Sequence, residues 1–273
     1  MIELECKRKE LDLKEFKNRH ATEDDYDTII DEPFMLYENS KLILAMAEPN
    51  DNLEPLRQAC KTIKYHKNFR SGGLKTTSRV FGYEPRKTLR KDYCNKTSID
   101  WEYPAQSRIL LEGAKIVSKH YQTINPSLHA EHKQLTEEKV GDDWKLNDAP
   151  FTSGIINENN PLKYHHDSGN YRKVWSGMVV FKEGIEGGHL SLPEFGLGLA
   201  LRDKSILYFD GQGILHGVTP IKRLHQKAKR YSIVYYSLKG MWNCLPLTDE
   251  VLRIRKLRSE REAKRAGIKE EYH

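Results

Sequence analysis

The chain has 273 residues, with 38% of them apolar and 31% charged, and a formal net charge of +6 at neutral pH. That is enough material for one large core with a well-charged surface, and it excludes collagen-like, low-complexity and strongly acidic disordered classes. No apolar run reaches membrane-spanning length, and the opening residues MIELECKRKELDLKEF lack the apolar centre of a secretory signal.

The first fifty residues contain one apolar run, FMLYENSKLILAMA, which reads as a strand pair turning near Glu38 and Asn39. Over residues 52–66, Leu53, Leu56, Cys60 and Ile63 fall at helical spacing. A Gly-containing basic loop is expected next, from Lys75 to Lys91, where Lys75, Arg79, Arg86, Lys87, Arg90 and Lys91 interleave with Phe81 and Tyr83. A second helix is expected over Ser107–Tyr121, with Ile109, Leu110, Ala114 and Val117 facing inward.

After about residue 150 the texture changes. VWSGMVVF, HLSL, LGLAL, SILYFD and RYSIVYYSL are short β-rich runs separated by Gly, Pro and Asn turns, a pattern that suggests a barrel or jelly roll. From Thr248 a helical pattern resumes, and VLRIRKLRSEREAKRAG carries seven Lys or Arg residues. The expected organisation is α+β with a mainly β core: an N-terminal α/β extension (1–104), a helix plus β core (105–247) and a C-terminal basic helix (248–273). Cys6, Cys60, Cys94 and Cys244 form no CxxC pair and are expected to be reduced thiols. Together with the missing signal, they lead us to expect a protein that is not secreted: cytoplasmic, or nuclear in a eukaryotic source.

Within PLKYHHDSGN, His165 and Asp167 are two residues apart, so on a strand they project from one face. His216 follows the apolar run SILYFD and offers a second imidazole. Two histidines and one carboxylate on one side of a metal leave the other side open, as non-haem Fe(II) requires. The pair alone is weak, since a hydrogen-bonded surface His beside an Asp has the same form. His129-Ala-Glu131 is a rival in a polar, helical stretch. His166 falls on the wrong strand face, and His189 and His225 lack a carboxylate at strand spacing.

Arg230 strengthens the case. It stands fourteen residues after His216 and opens a strand in which Ser232 shares its face. A guanidinium inside a barrel needs an anion, and 2-oxoglutarate is one that Arg230 could grip in bidentate fashion, with Ser232 donating a further hydrogen bond. An exposed basic strand start, with Lys227 and Lys229 beside it, is the alternative.

From about Pro150 to Leu238 these residues resemble the Fe(II)/2-oxoglutarate dioxygenase superfamily, with His-x-Asp, a distal His and Arg-x-Ser in order. Within it the strings HHDSGN, GGHLSLPEFGLGLAL, SILYFDGQGILHGVTPI and RYSIVYYS look most like the TET/JBP branch, which oxidises methyl groups of 5-methylcytosine or thymine. The resemblance implies a double-stranded β-helix and an oxidoreductase that consumes dioxygen and turns 2-oxoglutarate into succinate and CO2. It implies DNA as substrate, with Asn170 a candidate base contact. A base must leave the duplex to reach a buried iron, and Arg79, Phe81 and Tyr83 are candidates for phosphate contact and stacking; Arg79 could instead hold the cosubstrate's C1-carboxylate. The same chemistry on a protein side chain or small metabolite, or a catalytically silent nucleic-acid-binding barrel, are the competing readings. The chain lacks the Cys-rich extension of animal TET proteins.

Overall fold

The computed structural model describes residues 1–65, 67–69, 75–87 and 92–270. In chain order, β1 (Ile2–Cys6), α1 (Leu13–Phe16), β2 (Thr28–Ile30) and the hairpin β3 (Phe34–Glu38)–β4 (Lys41–Ala47) lead to α2 (Glu54–Thr62). The hairpin turns at Asn39 and Ser40, both with positive φ, as a tight two-residue connection requires. Strands β5 (Lys67–Phe69), β6 (Lys75–Glu84) and β7 (Asn95–Lys96) precede α3 (Ser98–Glu102), α4 (Pro104–Ile124) and α5 (Pro126–Lys139). Proline opens both long helices, and Asn125 caps α5 by accepting from Leu128 N–H at 3.2 Å.

The remainder is β-rich: β8 (Ser153–Glu158), β9 (Ser176–Glu183), β10 (Ile185–Gly187), β11 (Leu190–Leu192), β12 (Leu197–Leu199), β13 (Ile206–Phe209), β14 (Gly217–Val218), β15 (Ile221–Arg223) and β16 (Lys229–Tyr236). Helix α6 (Leu247–Glu270) closes the chain.

Ten strands form the large sheet, in the order β1-β3-β4-β13-β9-β16-β8-β6-β5 with β7 beside β6, and a four-stranded sheet runs β14-β11-β12-β2. One face of the large sheet, through Met178, Val180, Leu207 and Phe209, packs on Leu190, Leu192, Leu197, Leu199 and Val218 of the smaller sheet. Its other face, through Val179, Phe181, Ile233 and Tyr235, lies under α2 and α4 through Leu56, Leu110, Ala114 and Val117. Each such side chain contributes roughly 1.5–3 kcal/mol when fully buried. Gly177 lets α4 approach: a Cβ there would lie 2.4 Å from Val117 Cγ1. The two facing sheets with helices on one outer face are the double-stranded β-helix expected from the sequence.

Three expectations change. The Lys75–Lys91 segment is not a loop in its first part but the ten-residue strand β6, paired with β8; Arg90 and Lys91 lie outside the described residues. Strands from residues 1–104 extend both edges of the large sheet, so that segment is built into the core. Cys94 and Cys244 form a disulfide, while Cys6 and Cys60 are free. The bonded pair is 150 residues apart in sequence, and only the fold brings the two together.

Candidate metal and cosubstrate site

After β8 the chain runs irregularly across the open side of the barrel. Asn159 ties this stretch to β16: its N–H donates to Arg230 O at 2.8 Å, and its side-chain oxygen accepts from Arg230 N–H at 2.7 Å. Tyr164 is fixed next, with its hydroxyl 2.9 Å from Asp25 Oδ2 and 2.7 Å from Ser191 Oγ. His165 and Asp167 therefore lie on no regular strand, contrary to expectation. His165 instead forms an isolated antiparallel bridge with His216, and Asp167 N–H donates to Gly211 O at 2.8 Å. The extended backbone at the bridge preserves the shared face that the i, i+2 spacing anticipated.

The three side chains converge. His165 Nε2 is 3.6 Å and His216 Nε2 is 3.9 Å from Asp167 Oδ1, and one ligand atom from each lies within 4.8 Å of the others. His165 Nδ1 lies 2.7 Å from Lys163 O, and His216 Nδ1 lies 2.9 Å from Ile214 O. A carbonyl can only accept, so each ring carries its proton on Nδ1 and presents the Nε2 lone pair toward Asp167. Burial, reinforced by the field of His165, pushes the His216 pKa down to about 4, which keeps that imidazole neutral and able to ligate near pH 7. Two neutral imidazole nitrogens and a carboxylate oxygen meeting on one side suit a ferrous ion with open positions opposite.

Arg230 occupies the barrel interior at 2% exposure, and its Nε and Nη2 have no hydrogen-bond partner. Burial pulls its pKa down to about 10, so the guanidinium remains charged at neutral pH. An orphaned buried cation is costly, and an entering carboxylate would satisfy both nitrogens. Gly188 leaves room along the stem: a Cβ there would lie 3.1 Å from Arg230 Cδ. Ser232 Oγ accepts from Asn157 Nδ2 at 3.3 Å. Lys182, the cross-strand neighbour of Arg230, adds a second cation whose pKa is lowered first by burial and then by Arg230. The orphaned guanidinium and the His-Asp-His set fit 2-oxoglutarate and Fe(II) together.

Asn170 is buried on the turn that carries Asp167, and its backbone bridges to Leu238. Arg79, Phe81 and Tyr83 do not reach the site. Ser78, Asn157, Ser232 and Val180 form one row across the sheet, and Arg79, Ile156, Ile233 and Val179 form the next. A shift of one residue reverses the face, so the Arg79 row points to the helices. Arg79 donates to Lys64 O at 3.1 Å and to Ser98 Oγ at 2.9 Å, and pairs with Glu102 at 3.0 Å. Phe81 is in the helix-side core, edge-on to Tyr235, and Tyr83 packs edge-on to Trp144. Arg86 is held by Glu250 and Lys87 lies 3.3 Å from Glu84. His129, the rival candidate, is buried against Ser118 of α4 and belongs to no group of metal-ligating side chains found among the described residues.

Several contributors escaped the sequence reading. Asn157 and Lys182 become visible only through strand register. Gly211, in the DGQG turn, matters for its missing side chain: a Cβ would lie 2.4 Å from Asp167 Oδ2.

Comparison with known proteins identifies the family of the segment that carries these residues. Residues 78–239 match the Tet_JBP family, described as the oxygenase domain of the 2OGFeDO superfamily. Thymine dioxygenase JBP1 of Trypanosoma brucei brucei is 23% identical over 193 residues, covering 70% of this chain and 22% of the relative. The bifunctional helicase and thymine dioxygenase JBP2 of Trypanosoma cruzi (strain CL Brener) is 26% identical over 110 residues, covering 40% of this chain and 10% of the relative. The chain thus spans about a fifth of JBP1. In fold it is similar to NgTET1, solved in complex with 5mC DNA, with a TM-score of 0.60, 17% identity, and 84% of this chain and 86% of that chain covered.

Proposed function

The chain belongs to the Tet_JBP family of 2OGFeDO oxygenase domains, and from that premise we propose that it hydroxylates the methyl group of thymine or 5-methylcytosine in DNA. It is an oxidoreductase whose superfamily uses Fe(II) and 2-oxoglutarate. What supports the site assignment most is Arg230, a fully buried guanidinium with two unpartnered nitrogens in the same barrel as His165, Asp167 and His216. What supports DNA is the activity named for JBP1 and the DNA bound by NgTET1.

When bound, iron and 2-oxoglutarate supply the oxidising chemistry, in which dioxygen and 2-oxoglutarate yield succinate, CO2 and one oxygen atom for the substrate. The protein's part is placement. His165, Asp167 and His216 would hold the metal from one side, and Arg230 the distal carboxylate of 2-oxoglutarate, with the Ser232 hydroxyl beside it. Burial of Arg230 among Gly188, Ile221 and the large sheet excludes water from that contact. Asn170, on the turn after Asp167, would be the contact to the base edge, as the resemblance to the TET/JBP branch implies.

The test is incubation of the protein with Fe(II), ascorbate, 2-oxoglutarate and DNA containing thymine or 5-methylcytosine, followed by mass analysis of hydrolysed nucleosides. A hydroxymethylated nucleoside is expected. Steady succinate formation with no altered base would overturn the DNA assignment and leave the oxygenase chemistry standing.

A further inference from the structure

With Arg79, Phe81 and Tyr83 facing the helices, base stacking and phosphate contact need other residues. One exposed aromatic ring is tied to the turn that carries Asp167. Tyr171 N–H donates to Ser237 O at 2.9 Å, Asn170 bridges to Leu238, and Lys239 N–H donates to Gly169 O at 2.9 Å. Three residues further on stands Trp242, 37% exposed. Its indole N–H donates to the Tyr171 hydroxyl, and the two rings meet edge-on at 5.2 Å. An indole gripped at one edge and partly exposed, on the segment whose backbone is bonded to the metal turn, offers a stacking surface.

Helix α6 grows from the same block. The Cys94–Cys244 disulfide, the Trp144 indole bonded to Leu245 O at 2.7 Å, and the buried Glu250 carboxylate bonded to Arg86 and to Cys94 N–H fix its root. Beyond the first turns the helix is mostly exposed. Arg253 bonds Asp92 O at 2.6 Å and Arg261 pairs with the Asp92 carboxylate, which defines the inward side. Arg255 is exposed opposite that side, with Lys256 and Arg258 exposed on the two flanks, and none of the three forms an ion pair with any described residue. Arg258 and Glu262, and Glu260 and Lys264, have the i, i+4 spacing of a self-neutralising helix, yet neither pair forms among the described residues. The exposed turns of α6 therefore carry a net positive charge, with Arg255, Lys256, Arg258, Lys264 and Arg265 outnumbering Glu260 and Glu262, an excess complementary to a phosphate backbone.

We propose that Trp242 and the exposed turns of α6 form the DNA-docking element of this enzyme, the indole stacking beside the base presented to the metal and Arg255, Lys256 and Arg258 holding backbone phosphates. The proposal rests on the DNA-substrate reading and names the surface that such a substrate uses. A methyl group reaches a buried metal only if its base leaves the duplex, and a stacking side chain next to the metal turn fills the gap left behind.

The experiment uses the full chain with Mn(II) and N-oxalylglycine, which prevent turnover. The probe is a fluorescein-labelled duplex with 2-aminopurine beside one 5-methylcytosine. The variants are Arg255→Gln/Lys256→Gln/Arg258→Gln, Trp242→Ala, Trp242→Phe and the exposed control Trp101→Ala. The triple variant is expected to bind more weakly at 50 mM salt, with the slope of log Kd against log salt reduced by about 2.7, roughly 0.9 per phosphate contact. Trp242→Ala is expected to bind about 5- to 100-fold more weakly and to lose the rise in 2-aminopurine emission, which Trp242→Phe restores in large part. Melting temperatures of the variants serve as the check on folding. Wild-type affinity, salt slope and emission in both the triple variant and Trp242→Ala, with the wild type oxidising DNA, overturn the docking surface alone. A wild type that neither binds nor oxidises DNA overturns the substrate reading as well.

Discussion

His165 and His216 exchange both of their backbone hydrogen bonds, His165 N–H to His216 O at 3.0 Å and His216 N–H to His165 O at 3.2 Å. Each ring also has its Nδ1 facing the carbonyl two residues earlier in the chain. The two imidazoles are thus positioned by main chain, with ring centroids 4.4 Å apart. Asp167 is held differently, by a backbone bond to Gly211, by a turn in which its carbonyl accepts from Asn170 N–H at 3.3 Å, and by the space which that glycine leaves.

Gly211→Ala should therefore disturb the carboxylate and spare the histidines. The new methyl group would start 2.4 Å from Asp167 Oδ2, so the carboxylate must shift from the position in which Oδ1 faces the imidazoles. Affinity for Mn(II) or Fe(II) is expected to fall about 10- to 100-fold, as for loss of a supporting group around a metal ligand. Calorimetric metal titration checks this. Unchanged affinity would show that the carboxylate accommodates the methyl group without leaving the imidazoles.

Arg230 gives opposite signs for stability and binding. In the protein without cosubstrate, Arg230→Met removes a buried charge with two unpartnered nitrogens, so the variant should be more stable, by about 1–4 kcal/mol. The same change should weaken 2-oxoglutarate binding at least 30-fold, the cost of about 2 kcal/mol or more for truncating a buried charged contact. Thermal melts with and without 10 mM 2-oxoglutarate separate the two effects. Wild type should gain far more from the ligand than the variant does. Equal gains would remove Arg230 from the cosubstrate site.

Phe81 distinguishes a core residue from a substrate contact. It lies 1% exposed, with its ring centroid 5.3 Å from that of Tyr235. Phe81→Ala should cost about 3–5 kcal/mol in urea unfolding, the range for emptying an aromatic site in a core. DNA affinity measured on the folded variant at low temperature should match wild type. A stable protein that has lost DNA binding would reverse this placement.

The misplacement of Phe81 has a physical origin. Strand β6 mixes Thr, Ser and Gly with two cations and two aromatic rings, a composition it shares with a basic loop. Its strand character comes from pairing with β8, a long-range fact no local pattern carries. The convergence of His165, Asp167 and His216 was legible because the spacing survives loss of regular structure: His165 and Asp167 share a face beside a single bridge as they would on a strand. Arg230 was legible because β16 alternates plainly, with Tyr231, Ile233 and Tyr235 in the helix-side core. The Cys94–Cys244 disulfide and Glu250 were not, since each depends on segments some 150 residues apart meeting at the base of α6.

Glu250 allows a prediction with a defined pH sense. It is 1% exposed; burial alone would raise its pKa, but the Arg86 guanidinium and the N–H groups of Cys94 and Leu245 outweigh that and hold it below the ordinary value of 4.5. A carboxyl whose folded pKa is depressed stabilises the fold fully above its unfolded pKa, and that contribution disappears as pH falls through the lower folded value. Glu250→Gln should thus cost about 2 kcal/mol at pH 7, the scale of a charged hydrogen bond. The gap between wild type and variant should narrow steadily below pH 4.5, and urea unfolding at pH 7, 5 and 3.5 measures it. A gap that stays constant to pH 3.5 would mean the carboxylate adds nothing by being ionised. Because Glu250 joins the first turn of α6 to Arg86 and Cys94, the same variant should also loosen the base of the helix. Amide exchange over residues 247–254 should rise in it, while exchange at His165 and His216, held by their own main-chain pair, should stay at the wild-type rate.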